Sequence, residues 1–111
     1  METISSVRTF SIEKAEEAQR RLGARVKYEP LPTFPPSTVA GVDVHYRGPV
    51  GFAAIALCEC APLRLLTLAT VTHRAHLDYI PGFLAFREAP LVFKALRYSD
   101  RPDVLLVNGH G

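Results

Sequence analysis

Three consecutive apolar, β-branched runs, residues 38–46, 50–60 and 63–72, are separated only by Arg47-Gly48-Pro49 and Ala61-Pro62. Runs of this kind joined by short turn signals predict an antiparallel meander, because strands linked by a few residues pair with their sequence neighbours. Pro81 and Gly82 then open a helical stretch through Phe83, Leu84, Phe86 and Arg87. Pro90 either kinks that helix or starts a second one over residues 91–98, and residues 99–102 break it. The continuous apolar run Val104-Leu105-Leu106-Val107 fits a strand buried on both faces. A helical crossover after a meander most simply returns the chain beside and parallel to the first strand, since such crossovers are right-handed. The expected fold is therefore α/β: a mixed sheet with a three-strand antiparallel meander, a helical crossover and a parallel fourth strand.

Ahead of the meander, residues 11–22 read as an amphipathic helix. Ser11 can cap it, Glu13 suits its positive end, and Ile12, Ala15, Ala18, Gln19 and Leu22 recur at helical spacing. Gly23 stops it. Four prolines at 30, 32, 35 and 36 remove backbone donors and give an extended connector leading into the sheet. At 111 residues and 48% hydrophobic content, this is the material of one small globular domain, not of a disordered or fibrous chain.

A net charge of +2 neither argues for nor excludes a nucleic-acid partner. No stretch approaches the ~18 apolar residues of a membrane span, and the polar start Met1-Glu2-Thr3 lacks a signal peptide's basic and apolar regions. A cytoplasmic location is the expectation. Cys58 and Cys60 lie two apart on one strand, too close along the backbone for an easy disulfide, and read as two half-buried thiols.

Asp43 is the sharpest anomaly. It sits between Val42 and Val44 in mid-strand, where an unpaired buried carboxylate is costly and calls for a cation. A paired structural Asp is one reading and a metal ligand the other. Asn108 follows the last apolar run and precedes Gly109-His110-Gly111; if the last strand pairs with the first, Asp43 and Asn108 emerge together near the carboxyl ends of adjacent parallel strands, where open α/β sheets place ligands. Asn-Gly alone is more often only a turn. Glu88 on the crossover would by itself be a solvated residue. Tyr79-Ile80-Pro81-Gly82 suits either a hydrophobic staple at a helix start or an exposed wedge beside a base. His73 and His76, three apart, are a weak metal signal.

The blocks Val39-Ala40-Gly41-Val42-Asp43-Val44, residues 79–88 (Tyr79-Ile80-Pro81-Gly82 through Arg87-Glu88) and Val107-Asn108-Gly109-His110-Gly111 resemble, in order and spacing, the signature blocks of endonuclease V, a nuclease acting at deaminated adenine. The resemblance spans nearly the whole chain. It implies a ribonuclease-H-like fold and Mg²⁺-dependent hydrolysis, with Mn²⁺ as an alternative ion, of the second phosphodiester 3′ of a deoxyinosine in DNA or of inosine in RNA. It also implies that Asp43, Glu88 and Asn108 occupy the catalytic, metal-binding positions. Tyr79, Ile80, Pro81 and Gly82 would then form the DNA wedge and base pocket, and His110 either ligates the metal, contacts phosphate or is a turn residue. Such chemistry is physically coherent: clustered carboxylates hold a hard cation that stabilises phosphoryl charge, and poorly paired hypoxanthine is cheap to extrude. Arg47, Arg74 and Arg87 are candidate phosphate contacts, with no choice among them from spacing.

Two departures from the family pattern bear on activity, and the first predicts severely reduced cleavage. Asn108 stands where the family has Asp, which removes one negative charge from the metal site; Asn followed by Gly is prone to deamidation, which would restore it. Family members also continue past this block, with a late His. Residues 1–111 thus read as the N-terminal portion of a single domain, expected to self-associate to cover the last strand. The alternative function is a non-catalytic module that binds inosine-containing nucleic acid.

Overall fold

The computed structural model describes residues 10–75 and 80–109, and the chain divides into two compact units, Met1–Pro30 and Leu31–Gly111. In the first, α1 (Ile12–Gly23) starts at Ser11, whose hydroxyl accepts a hydrogen bond from the Lys14 amide at 3.2 Å. Glu17 pairs with Arg20 and Arg21 one turn on, exposed contacts worth a few tenths of a kcal/mol each. Ala15 is buried, while Ile12 and Leu22 at the ends of the apolar stripe remain exposed.

In the second unit the meander forms as expected. β1 (Thr38–Arg47), β2 (Val50–Cys60) and β3 (Leu63–Arg74) pair antiparallel in sequence order. β1 and β3 each run slightly further than their apolar content indicates, because the ladder continues to the tight reversal at Gly48-Pro49: Arg47 pairs with Val50 and Val50 with Arg74. Gly48 adopts φ +58°, a left-handed conformation that suits glycine at such a turn. A register shift between Leu57 and Cys58 marks a bulge.

α2 (Leu84–Leu96) crosses one face and leads to β4 (Val104–Val107), parallel to β1, completing the order β3-β2-β1-β4. Pro90 lies inside α2, which continues through it as one helix, so the second helix over 91–98 does not form. Residues 81–82 form a turn rather than the first helical residues: the Phe83 amide donates to the Ile80 carbonyl at 2.9 Å, and Gly82 takes φ +87°.

Strand alternation divides the sheet into two faces. Ala40, Val42, Ala53, Ile55, Leu57 and Val71 point toward α2, where Leu91 and Ala95 close the core. Ile55 and Leu91, each 1% exposed, are its largest fully buried side chains. The expectation of a β4 buried on both faces is corrected: Leu106 is 61% and Val107 53% exposed. β4 is an edge strand of a sheet that α2 covers on one side, so a continuous apolar run here does not report two-sided burial.

Two local devices hold the parts in register. The Asp103 carboxylate accepts from the Ser37 and Thr38 amides at 3.0 and 3.2 Å, while the Thr38 hydroxyl accepts from the Asp103 amide at 3.0 Å. This clasp ties the starts of β1 and β4 together. Gly51, opposite Tyr46, makes room for core side chains: a Cβ there would collide with Leu91 Cδ1 and lie 2.8 Å from the Tyr46 ring. Gly51→Ala is therefore expected to cost about 1–3 kcal/mol through overpacking, read as a lowered urea midpoint.

Candidate active site

Val42 and Val44 take the side of β1 facing α2, so the alternation of a strand puts Asp43 on the other side. That side is open, and Asp43 is exposed. The expectation of a buried carboxylate needing a cation is thus corrected, because the pattern names the face and not whether a layer covers it. The parallel register ends at Val42↔Val107, and its next step places Asn108 beside Asp43. Neighbouring strands lie about 4.8 Å apart. Both residues line one open depression, floored by Gly41, Ala54, Ala56, Leu68 and Leu106.

Glu88 lies in the first turns of α2. It is half-buried on α2 and absent from the lining of that depression. Its neighbourhood is organised by Tyr46, whose hydroxyl donates to the Arg87 carbonyl at 2.8 Å. The Arg87 guanidinium stacks 3.8 Å from the Tyr46 ring centroid, and its buried Nε has no hydrogen-bond partner among the described residues. The ring's negative face offsets part of that loss. Among the described residues, no three His, Cys, Asp or Glu side chains gather closely enough to hold a metal ion. The structure brings Asp43 and Asn108 to one depression, whose lining does not include Glu88.

Tyr46 escaped the sequence reading. The signal available was a tyrosine on the apolar side of β1 facing a glycine, a combination visible only once register is known. Burial pushes its phenol above the usual value of 10.0; Arg87 lowers it and Glu88 raises it further. Because the folded value lies above the unfolded one, this contribution to stability is fully present below pH 10 and is lost as pH rises through the elevated value. Alkaline difference absorbance between the chain and its Tyr46→Phe variant is expected to show one phenol ionising above pH 10.

Pro81 and Gly82 are exposed and Ile80 half-buried, forming the turn before α2. Tyr79, His76 and His110 lie outside the described residues. Cys58 and Cys60 are free and half-buried, as read. No helix of the described residues is long and apolar enough to cross a membrane.

As a donor set, the Asp43 carboxylate and the Asn108 amide oxygen fit a hard divalent cation in chemistry, with one formal negative charge between them. A mixed sheet of this order, with an Asp on its central first strand beside the end of the parallel fourth, defines an α/β protein of the ribonuclease-H-like class.

Comparison with known proteins narrows the class. The endonuclease V family profile matches residues 20–111. The chain is 43% identical over 106 residues to endonuclease V of Ignicoccus hospitalis, covering 93% of this chain and 49% of that protein. It is 45% identical over 94 residues to endonuclease V of Geotalea uraniireducens, covering 84% and 40%. The crystal structure of endonuclease V from Streptomyces avermitilis superposes with a TM-score of 0.81 at 34% identity, over 93% of this chain and 47% of that one. Endonuclease V of Ciona intestinalis, in complex with a 23mer DNA containing an inosine followed by a ribo-adenosine, shares the fold at TM-score 0.78 and 20% identity, over 90% and 46%. The chain belongs to the endonuclease V family. It spans about half the length of the curated relatives it matches.

Proposed function

We propose that this chain serves a divalent-metal-dependent endonuclease of the endonuclease V type, hydrolysing the second phosphodiester 3′ of deoxyinosine, or of inosine in RNA. The observation that carries this reading is the parallel register ending at Val42↔Val107, whose next step sets Asn108 beside Asp43, with both residues lining one depression. Asp43 supplies the negative charge and Asn108 a neutral oxygen. Glu88 is assigned as the third donor, supported by its tether: Arg87, the preceding residue, is held through its carbonyl by Tyr46, three residues beyond Asp43 on the same strand. A bound Mg²⁺ or Mn²⁺ supplies charge stabilisation at the phosphoryl oxygens and acidifies a water. On the substrate side, the turn at Ile80, Pro81 and Gly82, with Tyr79 before it in sequence, fills the gap left by an extruded hypoxanthine. The free edge of β4, with Leu106 and Val107 exposed, favours pairing with a second copy of the chain.

A second reading is favoured by the missing charge at Asn108: an inosine-binding module without cleavage. Incubating the chain with a deoxyinosine duplex and Mg²⁺ separates the two. Nicking supports the endonuclease, selective binding without nicking supports the module, and no preference for inosine contradicts both.

A further inference from the structure

Spacing alone does not choose among Arg47, Arg74 and Arg87 as phosphate contacts, but the sheet register does. Arg47 pairs with Val50 and Val50 with Arg74, so the two arginines flank a single β2 residue and share one face. Arg47 is four residues from Asp43 along β1, an even step, so that face is the open one. Both arginines are exposed, and neither side chain has an ion pair or hydrogen bond among the described residues. Arg87 differs: it stacks on Tyr46 on the α2 side of the sheet.

Between the arginines and Asp43 lies the row His45, Phe52 and Thr72, and the Asp43 row itself continues through Ala54 and Thr70. Asp43 is the sole acidic side chain in these rows. The distance along β1 from Asp43 to Arg47 is roughly 13 Å at ordinary strand rise. A polyanionic strand approaching Asp43 alone would be repelled by it; two guanidiniums farther along the same face offset that repulsion, and their planar donors match phosphate oxygens.

We propose that Arg47 and Arg74 form a phosphate-binding rail at the hairpin end of the open face, taking the backbone of a nucleic-acid strand that passes Asp43. The assignment of Asp43 as the reacting centre rests on the function proposed above; the rail itself is a statement about where backbone charge is neutralised. Phosphate contacts position a strand without reading its bases, so the rail acts equally on strands with and without inosine.

The test is fluorescence anisotropy of the chain on a deoxyinosine duplex and on the same duplex without inosine, in EDTA, across a salt series from about 50 to 200 mM. Arg47→Ala and Arg74→Ala are each expected to reduce the slope of log affinity against log salt by about 0.9, and the double variant by about twice that, on both duplexes. Arg101→Ala, an equal loss of charge just ahead of β4 at the opposite end of the sheet, is expected to leave the slope unchanged. An unchanged slope in the double variant, a change matched by Arg101→Ala, or no binding of either duplex by the unmodified chain overturns the rail. Equal affinity for both duplexes with the slope changes intact supports the rail while removing the inosine reading.

Discussion

Replacing Asn108 by Asp is expected to raise the affinity of the Asp43 depression for Mg²⁺ by at least about 10-fold, and cleavage of an inosine-containing duplex with it. The register places residue 108 beside Asp43, both exposed to the same depression. The neutral amide offers an oxygen but no charge, and affinity for a hard cation follows the number of charged ligands more than the number of oxygens. In the absence of metal the new carboxylate repels Asp43, so the variant is expected to melt lower than the parent without Mg²⁺ and to gain more from its addition. Thermal melting over a Mg²⁺ series reads both effects. Intact mass must accompany it, because deamidation at Asn108-Gly109 would introduce a carboxylate, as Asp or isoAsp, into the parent. Equal Mg²⁺ response in parent and variant would place the cation elsewhere.

Leu91→Ala is expected to cost about 2–5 kcal/mol, a large part of the roughly 5–15 kcal/mol that holds a domain folded. Leu91 is 1% exposed and, with Ala95, one of the two buried residues by which α2 grips the sheet. Its Cδ1 occupies the space beside Gly51 that a Cβ there would need, in the core cluster against which Tyr46 also packs. Because Tyr46 also holds the Arg87 carbonyl, loosening Leu91 frees the segment that carries Glu88. Urea unfolding checks the cost. Ile55→Val, at the other fully buried large side chain, calibrates the measurement at about 0.5–1.5 kcal/mol. A Leu91→Ala loss no greater than that of Ile55→Val would mean that α2 is held by something other than this contact.

The meander and the parallel return were legible because turn chemistry bounds each apolar run, and because connection rules leave few ways to place a strand after a helical crossover. The same logic anticipated Asp43 beside Asn108. What escaped depends on layers and on partners remote in the chain. Period-two alternation assigns Asp43 and Leu106 to a face, yet whether that face is covered is a tertiary property; both are exposed. Pro90 was ambiguous because its penalty is local while the packing of Leu91 and Ala95 that carries α2 through it is not. Tyr46 was missed because its role needs Gly51, Arg87 and Leu91 at once, and these meet only after the sheet forms. The separation of Arg87 from Arg47 and Arg74 became readable for the same reason.

If Asp43 and Asn108 hold one divalent cation on the open face, as proposed, a bound paramagnetic ion there erases the signals of nearby amides. In Mn²⁺ titration of the ¹⁵N-labelled chain followed by amide NMR, the amides of Asp43, Val44, Ala54, Asn108 and Gly109 are expected to broaden first, and Asp43→Ala to abolish the effect. Broadening centred on another region, or broadening that survives Asp43→Ala, would contradict it.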